Sequence, residues 1–247
     1  MEEVIKELKG HSGCFIFLMK DSNKTFVRKI GDVKRNYWRM RNLEEIIPFP
    51  EIYDHNLSVL DMEYIHGLDM VTYLSYNNPK KLVSFLIKSI ESLSHSSEGF
   101  VDYTEVYYKK LQAIDWSLFR FSMQDLIDRL PKLLPKTQYH GDLTLENILY
   151  DTTNERFVFI DCLTSEYSSF VFDLAKLTQD TKSKWFLRKQ TVNLDNKLVF
   201  IQNELEKRYK YMSDDNLTIL MLLRVLPYCK NDNDKRFILN EVNRLWT

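Results

Sequence analysis

The apolar residues of this chain change period near Gly67, and that change limits the fold more than any other feature. Up to about residue 65 they fall in short runs rich in aromatic and β-branched side chains, and beyond Gly67 they recur at helical spacing. The run Cys14-Phe15-Ile16-Phe17-Leu18-Met19 and the run Thr25-Phe26-Val27-Arg28-Lys29-Ile30 flank the polar cluster Asp21-Ser22-Asn23-Lys24, which predicts a β-hairpin. Residues 2–9 predict a short helix ahead of it, broken by Gly10-His11-Ser12-Gly13. A helix over 32–46, stopped by Pro48 and Pro50, and an extended piece over 57–65 complete a β-β-α-β start. Helical patterns then cover 68–76, 79–95, 102–113, 122–134, 171–180, 197–211, 214–226 and 234–246. One second hairpin interrupts them, with strands at 147–150 and 157–161 around a turn at 151–154. The expected class is α+β, with a small β-rich N-lobe over residues 1–66 and a larger helical C-lobe over 67–247.

Charge and cysteine usage narrow the function classes. Thirty-four Lys and Arg balance 35 Asp and Glu, leaving a formal charge of −1 and no global field to attract nucleic acid. The three cysteines, Cys14, Cys162 and Cys229, form no C-x-x-C pair, as expected of a reducing, cytoplasmic setting. The opening MEEVIKELKG has no basic start followed by an apolar run. The most apolar later stretch, 217–226, is about half of the roughly 20 residues that span a bilayer, so no membrane span is expected. His11, His55, His66 and His95 lack metal-ligand spacing.

The densest polar cluster is His140-Gly141-Asp142-Leu143-Thr144-Leu145-Glu146-Asn147, followed across the second hairpin by Phe159-Ile160-Asp161. Phosphoryl transfer from ATP needs a carboxylate to orient or deprotonate the acceptor hydroxyl, and oxygen ligands to hold Mg²⁺ against the phosphates. Asp142 suits the first task; Asn147 and Asp161 suit the second. An amide and a carboxylate are hard donors that match Mg²⁺ rather than a soft metal.

These residues resemble a known family. HGDLTLENIL is similar to the H-G-D-x-x-x-x-N catalytic loop of the aminoglycoside phosphotransferase and choline kinase family, relatives of protein kinases. Asn147 follows Asp142 by five residues and Asp161 follows Asn147 by fourteen, a spacing much more specific than HGD alone. Phe159-Ile160-Asp161 resembles that family's metal-binding strand end. Phe172-Asp173-Leu174-Ala175-Lys176-Leu177 resembles its D-L-A helix start, which implies that Asp173 supports the loop. Met62-Glu63-Tyr64-Ile65-His66-Gly67 resembles its hinge, which implies that the backbone of Glu63, Tyr64 and Ile65 binds adenine. The resemblance implies a protein-kinase-like bilobal fold, with ATP and Mg²⁺ as cofactors, Asp142 catalytic, and Asn147 and Asp161 on the metal. His140 resembles a scaffold for the loop backbone rather than a base, whatever its suitable pKa range.

In the N-lobe the same comparison makes Ser12 and Gly13 the remnant of a phosphate loop, although the full G-x-G-x-x-G is absent and a plain turn is the competing reading. Lys29 resembles the strand lysine that bridges phosphates. Its neighbour Arg28 points to the opposite strand face, so only one of the two can serve, and an arginine does so in some relatives. The helix at 32–46 is basic in its middle and carries carboxylates only at its ends, with Glu44 the late candidate to orient that lysine.

Between Gln179 and Thr247 thirteen basic side chains outnumber nine acidic ones, opposite to the acidic bowl expected for a polycationic aminoglycoside. The expected function is ATP- and Mg-dependent phosphorylation of a small-molecule hydroxyl, on a sugar or glycan precursor. The HGD-L-T-x-E-N loop and the D-L-A-K-L helix also resemble phosphotransferase-like proteins associated with bacterial surface-polysaccharide synthesis. One alternative is a protein Ser/Thr or self-phosphorylating kinase. Against it, only twelve positions separate Asp161 from Asp173 and no A-P-E-like anchor lies between them. The other is a non-catalytic nucleotide-binding pseudokinase, suggested by the reduced glycine loop and the helix without a central carboxylate.

Overall fold

Asp21 closes the first hairpin. Its Oδ1 accepts hydrogen bonds from the backbone N–H groups of Asn23 and Lys24, at 2.7 and 2.8 Å, and pins strands β2 (Phe15–Lys20) and β3 (Thr25–Ile30) in register. The structure, a computed structural model, describes residues 2–8 and 13–247. The chain divides into two compact units: Met1–Tyr73 with Glu146–Thr164, and Leu74–Leu145 with Ser165–Thr247.

In the first unit, residues expected to be helical form a strand instead. β1 (Glu3–Leu8) pairs antiparallel with β2 from Glu3↔Lys20 to Leu8↔Ile16, with an irregularity between Val4 and Lys6. Glu, Lys and Leu favour helix by intrinsic propensity, but the open edge of β2 supplies backbone partners that local preference cannot outweigh. The strand is almost wholly exposed and carries charge, as an edge strand should. After β3 come α1 (Lys34–Leu43), β4 (Ile52–His55) and β5 (Val59–Glu63), giving a five-stranded antiparallel sheet in the order β1-β2-β3-β5-β4. β4 begins just past Pro50, earlier than the extended piece expected from residue 57. The turn after it is tied by Asn56, whose Oδ1 accepts from the N–H groups of Ser58 and Val59 at 2.9 Å each.

The chain then runs through β6 (Gly67–Asp69) and α2 (Met70–Tyr76) into the second unit, with α3 (Lys80–Ser94), β7 (Phe100–Asp102), α4 (Thr104–Leu111), α5 (Met123–Arg129) and β8 (Leu133–Pro135). It returns to the first unit as β9 (Ile148–Asp151) and β10 (Arg156–Phe159), and ends in the second with α6 (Phe170–Thr181), α7 (Asp195–Glu206), α8 (Asp215–Val225) and α9 (Asp232–Leu245). β9 and β10 form the second hairpin, and β6 adds to β9 to make a three-stranded sheet.

The core of the second unit is aromatic and aliphatic. Tyr103 and Tyr107 are fully buried and meet Phe172 of α6 edge-on, and Phe121 stacks on Trp246 at 3.8 Å between ring centroids. α8 buries every residue from Leu217 to Leu223. Each buried Leu, Ile or Met of that run contributes about 1.5–3 kcal/mol on leaving water. None of the described helices is long and apolar enough to cross a membrane.

β6 depends on Gly67. A Cβ there would lie 2.0 Å from the carbonyl oxygen of Tyr150 on β9, so the two strands approach as they do only because position 67 has no side chain. Gly67→Ala is expected to cost about 3 kcal/mol. Thermal unfolding should show it as a fall in Tm of roughly 6–12 °C.

Candidate active site

In the first unit, alternation along β3 sends two neighbouring cations to opposite faces. The guanidinium of Arg28 donates to both carboxylate oxygens of Asp61 on β5, at 2.8 and 2.6 Å, and to Glu2, and these contacts raise its pKa. Lys29 is buried, and its Nζ lies 2.6 Å from Oδ1 of Asp161. Arg28 is thus committed to the sheet, while Lys29 meets the aspartate that follows β10.

Asp161 has a left-handed backbone (φ 53°), uncommon for a residue with a side chain and of the kind found at functional sites. The hairpin above it is extended by one further bond, from the N–H of Ile160 to the carbonyl of Asn147 at 2.9 Å. Asn147 and Asp161 therefore leave the same end of the β9–β10 hairpin. Asn147 ends a single 3-10 turn, Leu145–Asn147. Among the described residues no three or more His, Cys, Asp or Glu side chains group as a metal site. An amide and one carboxylate are nonetheless the sparse, hard-oxygen set that suits Mg²⁺ when phosphates and water complete its shell.

No helix carboxylate meets Lys29 in the described contacts: Glu44 is paired with Arg41 at 2.8 Å. What α1 supplies is Asn36, a buried amide whose Nδ2 donates to the carbonyl of Cys162 at 2.7 Å and so holds the chain just after Asp161. Burial pushes the Cys162 thiol up to about 12, which leaves it inert as a nucleophile. Glu63 ends β5, with its N–H on the carbonyl of Glu51 at 2.8 Å and its carboxylate beside Arg156 at 3.1 Å. Tyr64 and Ile65 follow in the irregular stretch before β6, with Ile65 buried. Gly13 sits exposed just ahead of β2, and Ser12 lies outside the described residues.

In the second unit the loop from His140 to Leu145 is gripped by one helix. Asp173 of α6, almost fully buried, accepts from the N–H groups of His140 and Gly141 at 2.5 and 2.9 Å. Asp180, two turns on, accepts from the N–H of Leu145 at 2.7 Å. Between them Lys176 donates to the carbonyl of Gly141 and to Oδ1 of Asp142, the latter at 2.7 Å. Positions 173, 176 and 180 share a helix face, and α6 is buried along nearly its whole length, so these charges are satisfied by the loop instead of water. Gly141 has φ 86°, which lets its N–H and carbonyl serve Asp173 and Lys176 at once. His140 is fully buried, and its Nδ1 accepts from the N–H of Asp142 at 3.3 Å.

Burial works against the charge of Asp142, but Lys176, and to a lesser extent His140 and Arg224, hold its carboxyl below the usual carboxylate range. Lys176 and Asp180 were not singled out from the sequence. The available signal was the D-x-x-K-x-x-x-D spacing inside an otherwise apolar helix.

With this geometry in hand, comparison with known proteins is informative. Residues 39–195, more than half of the chain, match the profile of the phosphotransferase enzyme family. The fold is similar to that of aminoglycoside phosphotransferase APH(4)-Ia, with a TM-score of 0.70 at 10% identity over 99% of this chain and 93% of that one. A thermostable mutant of the same enzyme, in a ternary complex with AMP-PNP and hygromycin B, matches with a TM-score of 0.66 at 12% identity over 98% and 94%. A protein provisionally assigned as a fructosamine-3-kinase from Haemophilus somnus 129PT matches with a TM-score of 0.64 at 15% identity over 100% and 91%. No curated protein sequence matches the chain. The chain belongs to the phosphotransferase enzyme family, with the protein-kinase-like fold of its structural relatives.

Asp173→Asn is expected to cost about 3 kcal/mol, because an amide brings N–H groups against the loop's own buried donors. Urea unfolding should show the loss as a lower midpoint with an unchanged slope.

Proposed function

We propose that this protein transfers the γ-phosphoryl group of ATP, with Mg²⁺, to a hydroxyl of a small molecule, a sugar or glycan precursor. The observation that carries the reading is the contact between buried Lys29 and Asp161, residues 132 apart in sequence that meet at 2.6 Å. A cation for phosphates and a carboxylate for their metal belong side by side in phosphoryl transfer. Nucleotide use is supported by the AMP-PNP complex of the structurally similar APH(4)-Ia.

In this reading Lys29 holds the α and β phosphates, and the backbone of Glu63, Tyr64 and Ile65 holds adenine. Ser12 and Gly13 are assigned a phosphate-contacting role. Asn147 and Asp161 hold Mg²⁺, which when bound neutralises charge on the phosphates. Asp142 orients the acceptor hydroxyl and takes its proton as the new O–P bond forms and the bond to ADP breaks. His140 and Asp173 keep the loop in shape. An acceptor that is neutral or anionic fits the excess of basic side chains between Gln179 and Thr247 better than a polycation does. We assign residues 1–66 to the N-lobe and 67–247 to the C-lobe of such a kinase, in a cytoplasmic setting.

The test is ATP consumption with Mg²⁺ against sugars, sugar phosphates, choline, ethanolamine, aminoglycosides and a generic protein. Acceptor-dependent turnover on a sugar or sugar phosphate is the expected result, and turnover only on protein would replace the reading with a protein kinase. Asp142→Asn should lower kcat on the order of 10²–10⁴-fold with ATP binding nearly intact. Asp161→Ala should weaken Mg-ATP binding and turnover together. Equal loss of binding in both variants would sink this division of roles.

A further inference from the structure

Lys176 sits in the middle of α6, with a side chain only 5% exposed, and both acceptors of its ammonium belong to the catalytic loop. Burying an ammonium is costly, and a buried ion pair offers little stability over well-packed apolar residues. What Lys176 supplies to the loop is therefore geometry and charge. Its bond to the Gly141 carbonyl fixes the peptide before Asp142, and its bond to Oδ1 fixes the carboxylate itself. Two anchors on consecutive residues leave the Asp142 side chain little freedom to rotate.

We infer that Lys176 is a positioning residue for phosphoryl transfer, locking the orientation of the Asp142 carboxylate and keeping it ionised to receive the acceptor hydroxyl. The inference rests on the reading of Asp142 as the hydroxyl-orienting group. The titratable and charged groups around the pair come from three elements: Asp173 on α6, His140 on the loop and Arg224 on α8. Arg224 adds positive charge near Asp142, and Asp173 offsets part of the charge on Lys176. Lys176 bonds the Asp142 carboxylate directly, at 2.7 Å. Taking its charge away lets burial dominate and raises the Asp142 pKa, so the proton-accepting form is lost at a higher pH as the solution is acidified.

The experiment is the pH profile of kcat/KM for ATP-dependent phosphorylation in wild type, Lys176→Met, Lys176→Arg, Asp142→Asn and the double variant Asp142→Asn with Lys176→Met. Lys176→Met should move the acid limb to higher pH by about one unit or more. It should lower kcat on the order of 10–100-fold, with KM for ATP unchanged. Lys176→Arg, which keeps the charge, should hold the limb near its wild-type position, and Lys176→Met should add no further loss in the Asp142→Asn background. Should Lys176→Met fail to fold, Lys176→Gln keeps a donor for the Gly141 carbonyl without the charge and makes the same measurement. An unmoved acid limb, or an equal loss with and without Asp142, overturns the role of Lys176 while leaving the kinase reading intact. Absence of Mg-dependent ATP turnover in the wild-type protein, with water or any acceptor, overturns the kinase reading and this inference with it.

Discussion

Three charged side chains on one face of α6 hold the loop from His140 to Leu145. Asp173 takes the N–H groups at its start, Lys176 takes a carbonyl and the carboxylate in its middle, and Asp180 takes the N–H at its end. A helix buried along nearly all of its length tolerates such charges only when every one is answered, and here each is answered by the loop. The apolar remainder of α6 packs into the aromatic core with Tyr103, Tyr107 and Tyr167, so the loop inherits the rigidity of that core.

The first unit solves a different problem, that of presenting one cation and one carboxylate at the end of two separate β structures. Strand alternation sorts Arg28 from Lys29, and the bidentate grip of Asp61 removes Arg28 from further use. Asp161 is carried by the β9–β10 hairpin and held in a left-handed conformation, while Asn36 ties down the peptide that follows. The amide thus occupies the helix role in which a carboxylate was sought, but its partner is the backbone after Asp161 instead of the lysine.

Much of this was legible in the sequence. Helical periodicity anticipated α2 to α9, because their apolar faces repeat cleanly, but the helix expected over 122–134 ends at Arg129, ahead of Pro131, and Leu133 and Leu134 belong to β8 instead. β1 was missed because its residues favour helix locally and only the edge of β2 makes them a strand. β4 hid behind Pro48 and Pro50, and β6, β7 and β8 have three residues each, too few for any period to register. The motif residues Asp142, Asn147 and Asp161 stood out because acid and amide side chains recur there at a specific spacing. Lys176 and Asp180 did not, because Asp and Lys on a helix read by default as solvated charges. Only the depth of α6 turns them into internal contacts.

α6 can also be viewed as a ruler. From Asp173 to Asp180 its axis rises about 10 Å, and against that length the loop advances from His140 to Leu145, an interval that an extended chain would overshoot. The left-handed turn at Gly141 and the 3-10 turn starting at Leu145 take up the difference. Because each end of the loop is fastened to a different tooth of a rigid scale, one inserted residue would put every anchor out of step. The interval between His140 and Leu145 is thus a length measured by a helix about thirty residues downstream, and the loop cannot be transplanted without the ruler that gauges it.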